Sequence, residues 1–434
     1  MLCFVASCTA SADSALPPDD DLFFPTAIAI SPDETALFVV NANSDLRYNS
    51  GTLSVLDLDQ VDRVVESWVG EGHEIAADCT QDLDHRETLI CRELQFIRPD
   101  AGARFGSFAT TIAVQTTGDG RARLIIPTRG DPSITWMDWD GSRVHCSEDD
   151  ETFALCDDAH RLTAIHDDPD LGTLPEEPFG VAVSSDQDFA IVTHHTTGYV
   201  TLVDSPRGGA ATIADVTSGL FAYDDNGYVG ASGVAIRSAL DSEPVAYVGS
   251  QYESRIQTLT VGRSINEAPP FLVPGPYFFL DGVGGYAGLS SDTRGVTFNA
   301  AGDRFYTLNR NPPSVQMFDT STDETGAIRN SLLDAEDICR NAGQIALVPT
   351  ATSDIIYVTC FQDGQLYVVE AANSVWLTDI ITVGRGPYDL VAAPGRGRIY
   401  VTNFLEETIA VIDTKPDSPT RNRVVLKIAE PTTP

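Results

Sequence analysis

The C-terminal part of the chain reads GPYDLVAAP at residues 386–394, RIYVTN at 398–403, TIAVID at 408–413 and RVVLKI at 423–428. These runs are short, rich in β-branched and aromatic residues and separated by turn-forming Gly, Pro and Asp, which is typical of β-strands. None is long enough to favour a helix over a strand. Four such strands in succession predict an antiparallel meander with an apolar face on each side. Such a sheet can bury both faces only by stacking against further copies of itself.

The same four-strand pattern occurs seven times along the chain. We align the repeats on one apolar residue in each first strand, which we call its anchor. The anchors are Ile28, Ile112, Val181, Val234, Val296, Ile345 and Leu390. The third strands end, in the same order, at Asp57, Asp138, Asp204, Thr260, Asp319, Glu370 and Asp413. From an anchor to the third-strand end of its own repeat, the separation ranges only from 23 to 29 residues. From one anchor to the next it ranges from 45 to 84 residues. Length variation therefore falls after the third strand.

This spacing predicts an all-β fold, a seven-bladed β-propeller with four antiparallel strands per blade. Packing between neighbouring blades fixes the three inner strands, whereas insertions collect in the outer strand and the link that follows it. We predict a single domain over residues 25–430, with blades at about 25–70, 106–147, 176–218, 230–273, 292–338, 342–384 and 386–430. Because the first and last repeats both look complete, no exchanged strand is expected to close the ring.

Several segments resemble the YVTN-type β-propeller repeats of bacterial envelope proteins. They are FPTAIAISPDE at 24–34, LFVVNAN at 37–43, SVLD at 54–57, IYVT at 356–359 and YVTN at 400–403. The resemblance covers nearly the whole chain after residue 24 and implies the propeller fold, which many unrelated activities share. Two repeats depart from the pattern. In one, QTT at 115–117 replaces the Ser-Pro-Asp turn, and in the other Thr260 replaces the usual Asp.

The N-terminus resembles an export signal. Residues 1–7 are mostly apolar, and VASC at 5–8 resembles a bacterial lipobox, in which Cys8 would carry the lipid and become the mature N-terminus. The segment has no basic n-region and a shorter apolar run than usual, so a truncated secretory signal or a disordered tail is the alternative. Residues 9–24 are small, polar and acidic, which predicts a solvated tether. No later stretch is apolar enough to span a membrane, so membrane contact is expected only through the lipid anchor.

The charge of the chain excludes one class of partner. It has 63 acidic and 27 basic residues, a net charge of −36, and only Lys415 and Lys427 are lysines. A nucleic-acid binder needs a basic footprint that this chain lacks. The acid excess is typical of a highly solvated surface in a saline or extracellular setting. The alternative is Ca²⁺ binding by the acidic loops 224–227 and 168–172, although neither has the spacing of a calcium-binding loop. No other cofactor is predicted.

Apart from Cys3 and Cys8, the cysteines fall into three local pairs. These are Cys79 with Cys91, Cys146 with Cys156, and Cys339 with Cys360. No C-x-x-C spacing occurs, which argues against a zinc knuckle, a thioredoxin-like motif or haem attachment. An even number of cysteines behind an export-like N-terminus predicts three disulfides. The sequence thus favours the bacterial cell envelope or the extracellular space.

Three long links, 70–106, 140–178 and 260–292, are expected on one face of the ring, where we look for function. On that face the turn after each second strand should line the mouth of the central channel. These turns supply the candidate binding residues Asn43, Arg129, His194, His195, Gln251, Arg310, Phe361 and Asn403. This mixed set of donors suits a polar or anionic ligand. No metal site is predicted, because the histidines are dispersed and no H-E-x-x-H motif occurs.

Catalytic motifs are sparse, and no catalytic residue is predicted. The chain has no G-x-S-x-G elbow, no P-loop and no dinucleotide fingerprint, and acidic residues are too abundant to single out an acid/base pair. The first hypothesis is therefore an exported, lipid-anchored propeller that binds a protein, glycan or small-molecule partner through its loop-rich face. The alternative is an enzyme or enzyme subunit that resembles the propeller lactonases or the propeller subunit of amine dehydrogenases.

Overall fold

The computed structural model describes residues 15–70, 73–149, 151–184, 188–238, 243–263, 269–280 and 291–432. Seven sheets, each built on a four-stranded antiparallel meander, are arranged as a seven-bladed β-propeller. The predicted fold class and blade number are therefore confirmed. The lipobox and Cys8 lie outside the described residues. The predicted tether is not solvated to its end, because Leu22 and Phe23 are buried at the edge of the first blade.

The first blade carries a long insertion between its third and fourth strands. Its elements are β1 (Pro25–Ile30), β2 (Ala36–Asn41), β3 (Gly51–Asp57), α1 (Leu58–Val69), β4 (Cys79–Gln81), β5 (Leu89–Cys91), two 3-10 turns (Glu93–Gln95 and Pro99–Ala101) and β6 (Ala103–Phe105). The outer strand of this blade is β6, which pairs with β3. The blade therefore extends well beyond residue 70, where the sequence pattern had placed its end, because the segment after β3 is helical.

The second blade has a divided outer strand. Its elements are β7 (Ala113–Gly118), β8 (Arg121–Thr128), β9 (Ser133–Trp139), β10 (Val144–His145), a 3-10 turn (Asp158–His160) and β11 (Arg161–Leu162). Both β10 and β11 pair with β9, at opposite ends of it. The insertion between them contains the second disulfide and contacts the first blade, where the Ala154 carbonyl accepts a hydrogen bond of 2.8 Å from the Arg104 N–H.

The remaining blades are regular four-stranded meanders. Their strands are β12 (Pro178–Val183), β13 (Phe189–His194), β14 (Val200–Asp204), β15 (Thr212–Thr217), β16 (Ala231–Arg237), β17 (Val245–Ser250), β18 (Arg255–Gly262), β19 (Phe271–Phe279), β20 (Thr293–Phe298), β21 (Arg304–Arg310), β22 (Pro313–Asp319), β23 (Ser331–Asp337), β24 (Ala342–Pro349), β25 (Asp354–Cys360), β26 (Gln365–Ala371), β27 (Val375–Thr382), β28 (Pro387–Ala393), β29 (Arg398–Asn403), β30 (Thr408–Asp413) and β31 (Arg423–Ile428). In each of these blades the inner strand comes first along the chain and the outer strand last.

The hydrophobic core lies between the blades. Among the described residues there are seven apolar clusters, one at each junction between neighbouring blades. Second strands are buried along almost their full length, and β29 shows why, since Ile399 packs toward the sixth blade and Tyr400 toward the first. A strand whose two faces both meet apolar neighbours has no wet face, so its sequence is apolar at successive positions.

The helix α1 was not predicted, although its sequence carries the necessary signal. Leu58, Val61, Val65 and Trp68 recur at helical spacing and are all buried. The Asp57 side chain caps the helix by accepting a hydrogen bond of 2.8 Å from the Gln60 N–H. No helix among the described residues is long and apolar enough to cross a membrane.

The insertion ties the first blade to the last, although no exchanged strand was expected to close the ring. The hairpin of β4 and β5 adds to the outer edge of the last blade, where β5 pairs in parallel with β31. The Thr88 hydroxyl donates a hydrogen bond of 2.6 Å to the Val424 carbonyl, and the Ala429 N–H donates one of 2.9 Å to the Cys91 carbonyl. We call residues 79–91 the latch. It ties the first blade to the last by strand pairing.

The long links do not share one face, contrary to the sequence interpretation. Turns between second and third strands and links between blades lie on what we call the mouth face. The insertion of the first blade leaves β3 at the opposite end and returns as β6, so the helix lies on the opposite face and the latch on the outer side. The disulfide-bearing insertion of the second blade also projects outward, because it interrupts an outer strand.

All three predicted disulfides are confirmed. Cys79–Cys91 spans the base of the latch, Cys146–Cys156 closes the insertion of the second blade, and Cys339–Cys360 joins the link before the sixth blade to the end of β25. The third pair meets because inter-blade links and the turns after second strands emerge on the same face.

Leu89 tests whether the latch stabilises the ring. Its side chain is fully buried, and Leu89→Ala should lower the free energy of unfolding by about 2–5 kcal/mol, the usual range for a core leucine. Leu83 lies in the same hairpin but is 92% exposed, so Leu83→Ala should change the value by less than about 0.5 kcal/mol. Urea titration followed by tryptophan fluorescence measures both. Equal effects of the two substitutions would show that the latch does not support the ring.

Candidate functional site

A pocket of about 420 Å³ lies at the mouth of the central channel. It is lined by Thr110, Arg129, Phe179, His195, Arg294, Arg310, Asn341, Gly343, Gln344, Phe361, Pro387 and Tyr388. Its volume is within the range of small-molecule sites, which is about 300–1,000 Å³. We call it the mouth pocket. Blades two, three, five, six and seven contribute to it, so no single repeat forms the site.

Two structural positions of the repeat supply most of the lining. The turn after the second strand provides Arg129 and His195 and, in later blades, Arg310 and Phe361 at the strand end. The start of the inner strand provides five more, each two residues before the anchor of its first strand. That position holds Thr26, Thr110, Phe179, Ser232, Arg294, Gly343 and Tyr388. The seven inner strands surround the channel, so this position faces its mouth from every blade.

Phe179 organises the cationic side of the pocket. The His195 ring stacks on it, with centroids 4.6 Å apart and planes 21° apart. The Arg294 guanidinium lies 5.4 Å from the Phe179 ring centroid, and that of Arg129 lies 6.0 Å away. The electron-rich face of an aromatic ring attracts such cations. One phenylalanine therefore holds groups from blades two, three and five together.

Carboxylates partner the guanidiniums without covering them. Arg129 Nε donates a hydrogen bond of 2.6 Å to Glu177 Oε2. Asp292 lies between two cations, with Oδ1 2.7 Å from Arg294 Nε and Oδ2 3.7 Å from Arg310 Nη1. The Arg294 contact is close but poorly aligned, so it is a charge pairing rather than a full hydrogen bond. Three cations thus share two carboxylates at the rim.

His195 is neutral in this setting. Burial lowers its pKa to about 3, and the guanidiniums of Arg294, Arg129 and Arg310 push in the same direction. Arg294 Nη1 lies 3.4 Å from His195 Nε2. A guanidinium can only donate, so Nε2 accepts and the ring proton is on Nδ1. Nδ1 is buried and has no hydrogen-bond partner among the described residues.

Half of the eight candidate binding residues line the pocket, namely Arg129, His195, Arg310 and Phe361. Asn43 is buried, and its Nδ2 donates to the Tyr48 carbonyl at 2.8 Å and to Ser107 Oγ at 3.0 Å. His194 is also buried, its ring nitrogens lying 3.0 Å from the Glu176 carbonyl and 2.8 Å from Thr201 Oγ1. Burial lowers the pKa of His194 to about 4, so it is a neutral structural residue.

The other two candidates also lie outside the pocket lining. Asn403 is buried and donates from Nδ2 to the Val383 carbonyl at 3.2 Å and to Thr408 Oγ1 at 3.0 Å. The backbone N–H of Gln251 donates a hydrogen bond of 3.1 Å to the Gly230 carbonyl, which positions this residue. The amide side chains of Asn43 and Asn403 stabilise turns of the mouth face. A binding role for the four lining residues remains a prediction.

The central channel continues below the mouth pocket as a cavity of about 200 Å³. The two spaces share Phe179, Arg294 and Gln344. The carboxylate of Asp389 lines the lower cavity, and its oxygens accept hydrogen bonds from the Leu390 N–H at 2.8 Å and the Ile28 N–H at 3.1 Å. Burial nevertheless raises the pKa of Asp389 to about 7, since these two bonds offset the loss of solvation only in part.

The acidic loops give no support to a cation site. In the loop 224–227, Asp224 Oδ1 accepts hydrogen bonds from the Asn226 N–H at 2.9 Å and the Tyr228 N–H at 2.7 Å. In the loop 168–172, Asp168 Oδ1 accepts one of 3.0 Å from the Asp170 N–H. These carboxylates form local turns. Throughout the described part of the chain, no three His, Cys, Asp or Glu side chains are grouped as metal ligands would be.

Sequence reasoning missed Phe179, Arg294, Tyr388 and Asp389. The alignment of the seven repeats already contained a signal for the first three, because each stands two residues before a first-strand anchor. The channel-facing position there varies from Thr to Arg to Tyr, unlike the neighbouring apolar anchors. Turn positions do not include these residues, because they belong to strands.

Fold and pocket together define the class of protein, a seven-bladed β-propeller with a ligand-sized site at the mouth of its channel. The sequence matches no protein-family profile, and no curated protein sequence matches it significantly.

Among solved structures, a Bacteroides fragilis protein provisionally assigned as a 6-phosphogluconolactonase has a TM-score of 0.60 at 12% identity, covering 92% of this chain and 99% of that one. Hydrazine synthase of Kuenenia stuttgartiensis has a TM-score of 0.56 at 14% identity, covering 92% and 97%. The periplasmic gluconolactonase of Pseudomonas aeruginosa has a TM-score of 0.51 at 15% identity, covering 94% and 87%. At such identities the similarity is one of fold alone.

Asp389 predicts a pH dependence of stability. Its pKa is raised from 3.8 to about 7, so between these values the folded state holds a proton that the unfolded state releases. Raising the pH through this window therefore destabilises the folded protein. From pH 5 to pH 8 the free energy of unfolding should fall by about 3 kcal/mol more in the wild type than in Asp389→Asn. Urea titrations of both proteins at each pH measure this difference, and parallel pH profiles would contradict the prediction.

Proposed function

We propose that the protein binds a small anionic ligand in the mouth pocket. The observation that carries this proposal is the convergence of three guanidiniums, those of Arg129, Arg294 and Arg310, on one 420 Å³ pocket in a chain of net charge −36. Over most of so acidic a surface an anion is repelled. The local excess of positive charge at the mouth therefore selects for anions at this place.

Arginine suits this task for a geometric reason. Its planar guanidinium presents several donors in a fixed fork that matches a carboxylate or phosphate, and it stays charged at any physiological pH. Burial and the neighbouring Arg294 lower the pKa of Arg310, which marks its charge as poorly solvated and in need of a counter-ion. Asp292 meets part of that need at 3.7 Å, and a bound anion would meet the rest.

We also propose that the protein works outside the cytoplasm, lipid-anchored at Cys8 in the bacterial cell envelope. Three disulfides support this location, because such bonds persist in oxidising compartments. One protein of similar fold is a periplasmic gluconolactonase. In this setting the mouth face would present the pocket to the surrounding medium, and a protein or glycan partner would approach from the same side.

A second candidate function is the hydrolysis of a sugar lactone, the activity named for two of the similar structures. One feature of the site favours it. Asp389 lies in the channel directly below the pocket, and its pKa of about 7 is suited to general-base chemistry near neutral pH. There its carboxylate would take a proton from the water that attacks the lactone carbonyl. It would return that proton to the ring oxygen as the ring C–O bond breaks, which gives the hydroxy acid. The guanidiniums would stabilise the oxyanion.

Anion binding is tested with D-gluconate and inorganic phosphate as probes, titrated calorimetrically at low ionic strength. Arg310→Gln should weaken binding of whichever anion the wild type takes up by about tenfold, as expected for the loss of one charged hydrogen bond. Arg423→Gln is the matched control, because Arg423 is half exposed on the outer strand of the last blade. If Arg310→Gln binds the anion as tightly as the wild type and the Arg423→Gln control do, the mouth pocket is not an anion site.

Lactone hydrolysis is tested with D-glucono-1,5-lactone, followed as acid release above the spontaneous rate. The enzymatic reading expects a saturable rate that rises through pH 7 as Asp389 ionises and falls at least a hundredfold in Asp389→Asn. A rate in the variant equal to that of the wild type would exclude Asp389 as the base. If the protein binds anions but does not hydrolyse the lactone, the hydrolase function is excluded and anion binding is retained.

A further inference from the structure

The mouth pocket has two unlike walls. The cationic wall comes from blades two, three and five and contains the three guanidiniums and neutral His195. The other wall comes from blades six and seven and contains Phe361, Pro387 and Tyr388. An inorganic anion would use the first wall and leave the second in contact with water. The composition of the pocket therefore indicates a ligand with two chemically different ends.

The second wall is a supported aromatic surface. The rings of Phe361 and Tyr388 meet edge to face, with centroids 6.3 Å apart. Phe404 stands against both, 6.2 Å from Phe361 and 5.9 Å from Tyr388. Phe24, from the edge of the first blade, lies 5.3 Å from Phe404. Four rings from three blades hold one another in place, so the aromatic wall is formed before any ligand arrives.

The Phe179 ring differs from the rings of the aromatic wall in that it already has partners within the protein. The His195 ring stacks on the Phe179 ring and two guanidiniums lie near it, so Phe179 already has ring and cation partners. Phe361 and Tyr388 instead line the cavity with part of each side chain exposed to it. Aromatic rings gain from offset-stacked or edge-to-face contact with another ring at about 4.5–7 Å.

Tyr388 brings the two walls within reach of one small ligand. It lines the same pocket as the three guanidiniums. Burial raises the pKa of its hydroxyl, and the three guanidiniums act in the opposite direction. A group that touches the Tyr388 ring can therefore carry an anion that reaches the guanidiniums. The pocket volume, about 420 Å³, accommodates a single substituted ring.

We propose that the mouth pocket binds an aromatic carboxylate, with its carboxylate on the guanidiniums of Arg129, Arg294 and Arg310 and its ring against Phe361 and Tyr388. This inference rests on the proposed anion-binding function and adds the chemical class of the ligand. The aromatic wall supplies selectivity between anions of equal charge, which the arginines cannot provide.

The test compares benzoate, cyclohexanecarboxylate and acetate on the full chain, by calorimetry or ligand-observed NMR at low ionic strength. Benzoate should bind the wild type about tenfold more tightly than acetate, because it adds a ring contact to the same charge interaction. Tyr388→Leu should reduce the benzoate-to-acetate affinity ratio towards one, because benzoate loses its ring contact. Phe361→Leu should act in the same direction, and it keeps the test available if the Tyr388 variant does not fold.

Two control variants separate the ring from other effects. Tyr388→Phe keeps the ring and should keep the ratio, whereas Tyr223→Leu applies the same substitution to a tyrosine that is 71% exposed and should change nothing. Arg310→Gln should weaken benzoate and acetate together. This pattern would show that the ring of the ligand contacts the aromatic wall and that its carboxylate contacts the cationic wall.

The outcomes distinguish the two proposals. Equal affinity for benzoate and acetate, with both weakened by Arg310→Gln, would overturn the aromatic ligand and retain the anion site. Cyclohexanecarboxylate binding as tightly as benzoate would also overturn it, since the ring would then act only through its apolar area. If none of the three carboxylates binds and gluconate and phosphate also fail to bind, both proposals are wrong.

Discussion

Closure of the ring is the constraint on which this structure depends. A four-stranded blade has two apolar faces, and only a closed ring gives every blade two neighbours. The junction of the first and last blades is therefore reinforced. A shared apolar cluster fills it, the Ile28 N–H donates to Asp389, and Arg396 pairs with Asp59 at 2.7 Å and with Asp62. The latch then extends the last sheet by two strands from the first blade.

The mouth pocket is a consequence of that closure. Its cations come from blades two and five, which are far apart in sequence and meet only because the inner strands surround one channel. In a chain so rich in acid, each guanidinium would ordinarily be matched by a carboxylate. Here Glu177 and Asp292 are shared among three cations, and the cation–π contacts with Phe179 hold two of the cations in place without neutralising them. The result is a small cationic pocket in a strongly anionic protein.

Residues of the candidate site were predictable only where their position in the repeat determines that they face the channel mouth. Arg129, His195, Arg310 and Phe361 follow second strands, and turns at that place must face the mouth. Asn43 and Asn403 occupy the same position, but their side chains turn inward and bond to nearby groups, the Tyr48 carbonyl and Thr408 Oγ1, which depends on the local structure rather than on the repeat. Asp389 was invisible, because its raised pKa comes from burial by residues of other blades. The Phe179 stack likewise joins residues that no local pattern connects.

The sequence by itself determined the number of blades, the order of strands within them and the three disulfides. These follow from local periodicity, from a nearly constant spacing and from cysteines close together along the chain. The tertiary structure alone decided the course of the insertion after the first blade, which became a helix and a latch on the last blade. It also decided which polar side chains share a pocket. The physical reason is that strand formation depends on neighbours in sequence, whereas edge pairing, burial and electrostatic coupling depend on neighbours in space.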